Sequence, residues 1–131
     1  MKQRIIIAGS RNFNDYSYLE YVVDRYFSKF VTDKQDVKII SGTAKGADSL
    51  GELYAEKHGI GVIRCPANWD KYGRAAGYRR NEEMAILSMS DGYTGVLLAF
   101  WDGLSRGTSQ TYAIRLTKNG FLLSIHNSDR R

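Results

Sequence analysis

Short runs of apolar, mostly β-branched residues recur along the chain, separated by stretches whose apolar residues are spaced three and four apart. The short runs are typical of buried strands, and the wider spacing is typical of amphipathic helices. Strands are predicted at residues 4–8, 37–40, 60–63, 96–100 and 121–125. Helices are predicted at residues 19–30, 47–58, 79–89 and 108–118.

The alternation of strands and helices indicates how the chain is organised. A run such as 96–100 is apolar at every position, which suits a strand covered by helices on both faces of a sheet. Repeated strand–helix–strand units pair their strands in parallel through right-handed crossovers. We therefore predict a single α/β domain over residues 1–131, with a Rossmann-like sheet of about five parallel strands and helices on both faces.

The ends of the predicted helices carry local signals. Asp15 can cap the first helix, or Ser17 and Glu20 can form a capping box there. Gly59 is the predicted stop of the second helix. Residues 66–77 show neither the spacing of a strand nor that of an amphipathic helix, and they contain several aromatic residues. A long functional loop is therefore predicted there.

Glycine, hydroxyl and charged residues gather directly after three of the predicted strands. Residues 9–12 follow the first strand, residues 41–48 follow the second, and residues 101–108 follow the fourth. Ligands of open parallel sheets bind beyond the carboxyl ends of the strands. A binding site is therefore expected at this edge.

The turn after the second strand opens a predicted helix. Gly42 and Gly46 would let the backbone approach a phosphate, the helix start offers unpaired N–H groups, and Lys45 adds a charge. The alternative is an ordinary turn in which Ser41 or Thr43 caps the helix. From this segment alone, both interpretations stand equally.

A similar segment precedes the last predicted helix. Ser105, Thr108 and the amide nitrogens between them could bind one phosphate, with Arg106 as a bidentate clamp. A plain turn with a capping hydroxyl is again the alternative. Two such segments at neighbouring strand ends favour phosphate binding.

Arginine and aromatic residues lie close together in the region of the predicted loop. Arg74, Arg79 and Arg80 form a cluster, but Arg79 and Arg80 point in different directions on a helix. At most one of these two is therefore expected to face a ligand. Tyr72 or Trp69 can stack on a base, although Trp69 is rather predicted to pack beneath the loop.

The composition limits the classes of partner and site that can be expected. Nineteen basic and 14 acidic side chains give a net charge of +5, which favours anionic partners. Cys65 is the one cysteine, and His58 and His126 stand apart from any ligand pattern, so neither a disulfide nor a metal site is expected. No apolar run reaches the length of a membrane span, so we predict a cytoplasmic protein without a membrane partner. No cofactor is predicted.

Five ordered blocks of the chain carry a family resemblance. They are GSRNF at residues 9–13, SGTAKGAD at 41–48, ANWDKYGRAAG at 67–77, RNEEM at 80–84 and SRGT at 105–108. Together they resemble the SLOG superfamily, in particular its small stand-alone branch of the YspA type. The resemblance implies a Rossmann-like fold that binds nucleotides or nucleotide-derived ligands, often as a homo-oligomer.

One better-understood branch, the LOG family, releases the base from nucleoside monophosphates. The segment that holds its catalytic arginine resembles Arg80 with Met84, and its phosphate loop resembles Gly107 with Thr108. Its catalytic glutamate would fall on Thr111, which cannot act as a carboxylate does. The residues that could replace this glutamate are Asp102, Glu82 and Glu83.

A second branch, the DNA-processing protein A family, handles single-stranded DNA. Its G-S-R and S-G-x-A-x-G-x-D segments resemble residues 9–11 and 41–48, and the positive net charge fits such a partner. Because that family works as a larger chain, only its core would be shared.

These observations predict a protein that binds a phosphate-bearing nucleotide or nucleotide-derived ligand as a sensor, carrier or scavenger. Base release and single-stranded DNA binding are the alternatives. The predicted ligand-binding residues are Gly9, Ser10, Arg11, Gly42, Thr43, Lys45, Gly46, Asp48, Tyr72, Arg74, Arg80, Gly103, Ser105, Arg106, Gly107 and Thr108. The catalytic candidates are Arg80, Asp102 and Glu83.

Overall fold

The computed structural model describes residues 2–101, 110–117 and 120–122. Its strands are β1 (Gln3–Gly9), β2 (Val37–Ser41), β3 (Gly61–Arg64), β4 (Thr94–Trp101), β5 (Gln110–Thr117) and β6 (Gly120–Leu122). Its helices are α1 (Tyr16–Phe30), α2 (Ala47–His58), α3 (Trp69–Tyr72) and α4 (Ala76–Ser88), with single 3-10 turns at Lys34–Asp36 and Gly73–Ala75. No helix in these ranges is long and apolar enough to cross a membrane.

The strands form one sheet in the order β3-β2-β1-β4-β5-β6. β3, β2, β1 and β4 pair in parallel, because helical crossovers return the chain to the same edge between them. β5 and β6 are antiparallel to their neighbours. The α/β architecture with a parallel sheet is thus confirmed, but the predicted count of about five parallel strands is not, because four of the strands in the described residues are parallel. The strand predicted at residues 121–125 overlaps the short antiparallel β6.

The helix predicted at residues 108–118 is wrong, because the chain forms β5 there. Tyr112, Ile114 and Leu116 occur at every second position, which is the period of a strand. β-Branched and aromatic residues in this stretch also favour a strand. β5 pairs with β4 along nearly its whole length and so covers the edge that the parallel strands leave open.

Hydrophobic side chains fill both faces of the sheet. On one face, α1 and α2 pack with Ile5 and Ile39, which are fully buried. On the other face, Met84 of α4 packs with Ile6 and Ile40. Helices therefore cover both faces, as predicted, and for this reason the β1 sequence is apolar on both sides.

The signals at the helix ends are largely confirmed. The Asp15 carboxylate caps α1 by accepting a hydrogen bond from the Tyr18 amide at 3.0 Å, which selects Asp15 over the capping box. Gly59 ends α2 in the left-handed conformation. Residues 66–77 are more regular than predicted, because they include α3, whose N-terminus Asn68 caps, and the start of α4.

Polar contacts join α1 to α2. Glu20 accepts a hydrogen bond from the Tyr16 hydroxyl at 3.0 Å and lies 3.1 Å from His58 Nε2. The Tyr54 hydroxyl donates to Asp24 at 2.7 Å. Burial and the contact with Glu20 raise the pKa of Tyr16 to about 12. The hydrogen bonds from His58 and Tyr16 lower the pKa of Glu20.

We expect the free energy of unfolding of Glu20→Gln to depend less on pH in the acid range than that of the wild type. Because the pKa of Glu20 is lowered in the folded state, its carboxylate stabilises the fold above the unfolded pKa, and this contribution is lost as the pH falls through the folded pKa. Urea unfolding between about pH 7 and about pH 3 measures the slope. Glu56→Gln, at an exposed position of α2, is the control. A slope in Glu20→Gln as steep as in the wild type would contradict the prediction.

Candidate functional site

Backbone hydrogen bonds join the end of β1 to the start of α2. The Ser10 amide donates to the Phe100 carbonyl at 3.0 Å, and the Ser10 carbonyl accepts from the Ala47 amide at 3.3 Å. The Ser10 hydroxyl is enclosed and has no hydrogen-bond partner among the described residues. Gly9 and Arg11, on either side of it, are exposed. The three residues predicted after β1 thus lie at the carboxyl edge of the sheet, beside α2.

Ser41 holds the turn between β2 and α2 together. Its hydroxyl donates to Glu52 Oε2 at 2.6 Å and accepts from the Thr43 amide at 3.0 Å. Thr43 has a left-handed φ of 63°. Gly46 is the N-cap residue of α2, and no side chain caps the helix there. The alternative in which Ser41 or Thr43 caps α2 is therefore wrong.

Asp48 is a buried carboxylate at the start of α2, 5 % exposed. It accepts a hydrogen bond from the Ala44 amide at 3.1 Å. Burial raises the pKa of Asp48, while the Ala44 hydrogen bond and the charges of Arg80 and Arg11 oppose the rise. Arg80 of α4 and Arg11 after β1 thus lie near enough to act on this carboxylate, and the charge of Glu52 acts on it in the opposite direction.

Arg80 connects α4 to the turn after β2. Its Nη1 donates to the Gly42 carbonyl, and its Nε donates to Asn81 Oδ1 at 3.0 Å. A Cβ added at Gly42 would lie 2.7 Å from Asp48 Oδ2 and 2.8 Å from Arg80 Nη1. Glycine suits this position because the carboxylate and the guanidinium leave no room for a side chain. The structure thus brings Gly42, Asp48 and Arg80 together.

A cleft of about 200 Å³ opens beside Arg80, between the loop after β3 and α4. Because one water occupies about 30 Å³, the cleft has room for more than a phosphate group. Its polar lining residues include Asn68, Lys71, Tyr72, Arg79, Arg80 and Glu83. Both arginines line it, although they occupy adjacent positions on the helix; that at most one of them faces a ligand stays a prediction. Their side chains are long enough to reach the same cleft from adjacent helix positions.

Two aromatic residues of α3 differ in exposure. The Tyr72 ring is half-buried, and its centre lies 4.4 Å from the Arg79 guanidinium carbon and 5.2 Å from Lys71 Nζ. Cation–π attraction favours this arrangement. Trp69 is 52 % exposed, so the prediction that it packs beneath a loop is wrong. Its position on the short α3 helix leaves the indole at the surface instead.

Other predicted site residues are not brought to the cleft. Lys45 and Arg74 are exposed and form no ion pair within the described ranges. Because residues 110–117 form β5, the helix predicted after the segment 103–108 is not formed there. The individual predictions that lie outside the described residues are Asp102, Gly103, Ser105, Arg106, Gly107 and Thr108.

Three polar residues near the site were not predicted: Glu52, Asn68 and Lys71. Glu52 accepts a hydrogen bond from Arg64 Nε at 2.8 Å, besides the one from the turn. It follows Asp48 by four residues, a spacing that places both on one face of a helix. Asn68 is a preferred capping residue, and that signal would have indicated α3 and its lysine.

The surroundings of Cys65 disfavour the reactive form of its thiol. Burial, and then the charge of Glu83, raise the pKa of the half-buried Cys65 thiol. A raised pKa disfavours the reactive thiolate. In the part of the chain that the structure describes, no three His, Cys, Asp or Glu residues are grouped to hold a metal ion.

Comparison with protein families finds a match over the first half of the chain. The model of the family described as YAcAr, the YspA, cpYpsA-related SLOG family, matches residues 3–72. This match is just over half of the 131 residues. It runs from β1 to the end of α3, and so includes the turn after β2. No curated protein and no solved structure matches the chain.

Proposed function

The chain belongs to the YspA, cpYpsA-related SLOG family, and we propose that it binds a phosphate-bearing nucleotide or nucleotide-derived ligand at the carboxyl edge of its parallel sheet. The observation that carries the proposal is the cleft lined by Lys71, Arg79 and Arg80, with the Tyr72 ring beside them. Cations attract phosphate, and an aromatic face accepts a base. The protein then acts as a sensor, carrier or scavenger, without chemistry on the ligand.

The distribution of charge along the chain supports this location. Residues 64–80 contain five Lys or Arg residues and one acidic residue. That leaves 14 of the 19 basic and 13 of the 14 acidic residues for the rest of the chain, which is nearly neutral. Glu82 and Glu83 follow closely, and the charged side chains that line the cleft are three cations, Lys71, Arg79 and Arg80, and one anion, Glu83. This excess of cations would draw anions toward this edge.

The turn after β2 would extend the phosphate site beyond the cleft. Arg80 lines the cleft and also donates to the Gly42 carbonyl, so it joins the two parts. The Ser10 hydroxyl, which has no partner among the described residues, is the neutral donor that we assign to phosphate. The Thr43 and Ala44 amides already donate within the turn. Arg11 would add charge from the end of β1.

A thermal-shift panel tests the proposal. Ligands would include mononucleotides, cyclic nucleotides, dinucleotides, ADP-ribose and short single-stranded DNA. A ligand present at about 100 times its Kd stabilises the folded state by about 2.7 kcal/mol, which is easily measured. We expect a small nucleotide to raise the Tm, and Lys71→Gln to weaken its binding about tenfold by removing one cation. Lys29→Gln, at an exposed position of α1, is the matched control. If no small nucleotide shifts the Tm, the proposal fails.

Single-stranded DNA binding is a second candidate, favoured by side chains outside the cleft. Trp69 and Tyr78 are 52 % and 82 % exposed, and Arg74 is exposed between them in the chain. Exposed aromatic rings among cations stack on the bases of single strands. A Tm shift with DNA alone, erased by salt, would favour this function over the small-molecule site.

Base release is the third candidate, and it depends on a carboxylate near the ligand. Thr111, which stands where the LOG family has its glutamate, lies in β5. Of the two helix glutamates considered as replacements, Glu83 lines the cleft and Glu82 does not. Release of free base from a mononucleotide, abolished in Arg80→Ala, would establish hydrolysis. An intact ligand after prolonged incubation would favour binding alone.

Homo-oligomerisation, which the family resemblance implies, stays a prediction. Tyr21 of α1 and Ile86 of α4 are 50 % and 59 % exposed, so apolar side chains are available on both helical layers for a second copy. Analytical ultracentrifugation would give the oligomeric state.

A further inference from the structure

One carboxylate lies among the cations of the cleft. Glu83 lines the cleft together with Lys71, Arg79 and Arg80. It lies one helical turn after the two arginines on α4, within reach of an ion pair. Yet Glu83 forms no ion pair or hydrogen bond with any side chain in the described ranges. Its carboxylate is exposed and is therefore available to accept hydrogen bonds from a ligand in the cleft.

An unpaired carboxylate is unfavourable in a site that binds only phosphate. It repels an anion, and it has no proton to donate to a phosphate oxygen. A carboxylate accepts hydrogen bonds instead, and those that involve a charged group are stronger than neutral ones. The cleft thus combines an anion-binding group of cations with a strong acceptor, which suits a ligand that has an anionic part and a donor-rich neutral part.

We propose that Glu83 recognises the nucleoside part of the ligand by accepting hydrogen bonds from its neutral donors, while Lys71, Arg79 and Arg80 bind the phosphate. The donors that nucleotides offer are the ribose hydroxyls and the exocyclic amine of some bases. The inference rests on the proposed function and narrows it: the ligand is a nucleotide, and inorganic phosphate or pyrophosphate is discriminated against. Glu83 is then a specificity-determining residue.

The position of Glu83 on α4 agrees with this role. Arg80 is held by the Gly42 carbonyl, so the cationic end of the cleft faces the turn after β2. Glu83 and Arg80 both lie close enough to Cys65, directly after β3, for their charges to act on the pKa of that thiol, in opposite directions. Arg80 is in addition tied to the turn after β2, so the acceptor and the held cation are neighbours in one cleft. A ligand with two chemically different ends could contact both.

The test compares Glu83→Gln with Glu82→Gln by titration calorimetry. Glu82 is the neighbouring exposed glutamate of α4, and it does not line the cleft, so it controls for loss of one negative charge on the helix. The probes are AMP, 2′-deoxy-AMP, inosine monophosphate, ribose 5-phosphate and pyrophosphate. We expect Glu83→Gln to weaken AMP binding about tenfold, because the nucleoside loses a charged acceptor. The same substitution should strengthen pyrophosphate binding, because it removes a charge that repels the anion. Glu82→Gln should change neither by more than about twofold.

The probes separate the two sources of donors. If Glu83→Gln binds ribose 5-phosphate more weakly than the wild type does, but binds 2′-deoxy-AMP equally well, Glu83 contacts the ribose hydroxyls. If Glu83→Gln binds AMP more weakly but inosine monophosphate equally well, Glu83 contacts the exocyclic amine. Equal or tighter binding of AMP by Glu83→Gln would overturn the inference while leaving the proposed function intact. Failure of the wild type to bind any of the nucleotides would overturn the proposed function itself.

Discussion

Replacing Gly46 by alanine is expected to lower the free energy of unfolding by about 4 kcal/mol, from backbone strain and overlap together. Gly46 has φ 78° and ψ −127°, a conformation that L side chains rarely adopt. A Cβ there would lie 2.3 Å from the Ser10 carbonyl oxygen and 2.6 Å from the Arg11 carbonyl oxygen. Both neighbours are backbone atoms, so neither can rotate away. The start of α2 would have to move off the end of β1, which would also distort the proposed phosphate site.

Gly59 offers a matched control for Gly46→Ala. It too has a positive φ, 70°, but a Cβ there would have no atom within 4 Å. Gly59→Ala therefore carries only the backbone strain, about 1 kcal/mol. Urea unfolding followed by circular dichroism measures both variants. Equal losses of stability would mean that the close approach of α2 to β1 contributes nothing, contrary to the prediction.

Arg80→Ala is expected to weaken nucleotide binding about 100-fold, since a hydrogen bond to a charged group contributes about 1.5–3 kcal/mol. Arg80 acts twice in the proposed site. It lines the cleft, and it holds the Gly42 carbonyl and so positions the turn after β2. Calorimetry with the mononucleotide that stabilises the wild type measures the loss. An unchanged Kd would remove Arg80 from the site.

Two further variants separate the roles of Arg80. Arg80→Lys keeps the charge but replaces the planar fork by a single ammonium, so it should recover only part of the affinity. Arg25→Ala removes an exposed arginine of α1 that donates to the Tyr21 hydroxyl at 2.9 Å, far along the chain from the cleft, and should leave the Kd unchanged. A loss in Arg25→Ala as large as in Arg80→Ala would point to a general effect of net charge.

Loss of Arg80 should also change the effect of pH through Asp48. The Arg80 charge opposes the rise that burial causes in the pKa of Asp48, so its removal raises that pKa further. A carboxyl whose pKa is raised by folding destabilises the fold as the pH rises through the acid range, because the folded state favours the protonated form. As the pH is raised from acid toward neutral, the contribution of Asp48 to the free energy of unfolding should therefore fall further in Arg80→Ala than in the wild type.

The four parallel strands could be predicted because their signals are local. Each run of apolar residues that forms β1 to β4 is continuous in the chain, and Asp15 and Gly59 act within one turn of the helices they delimit. The position of the glycine-rich turn after β2 follows from the same reasoning, since parallel strands bring their carboxyl ends to one edge. The family match covers this same part of the chain, residues 3–72.

The helix prediction over residues 108–118 failed although a local signal for a strand was present, since Tyr112, Ile114 and Leu116 occur at every second position. The strand pairs with β4, which precedes it closely in the chain. The short α3 helix leaves Trp69 exposed, although an indole in an apparent loop suggests burial. The Ser41–Glu52–Arg64 contacts join two strands and a helix, and nothing in any one of those segments specifies the other two.

The amino-acid order was enough to place glycines, hydroxyls and arginines at strand ends, because apolar periodicity and helix caps act over a few residues. Which of these groups meet was a matter of packing. Arg80 reaches Gly42 across 38 residues of sequence, and it can do so because α4 packs on β1 and brings its first turns to the end of β2. The same packing puts Arg79 and Glu83 in one cleft with Lys71. Whether side chains from different elements meet depends on how whole helices and strands pack in three dimensions. The spacing of apolar residues within one element does not predict that packing.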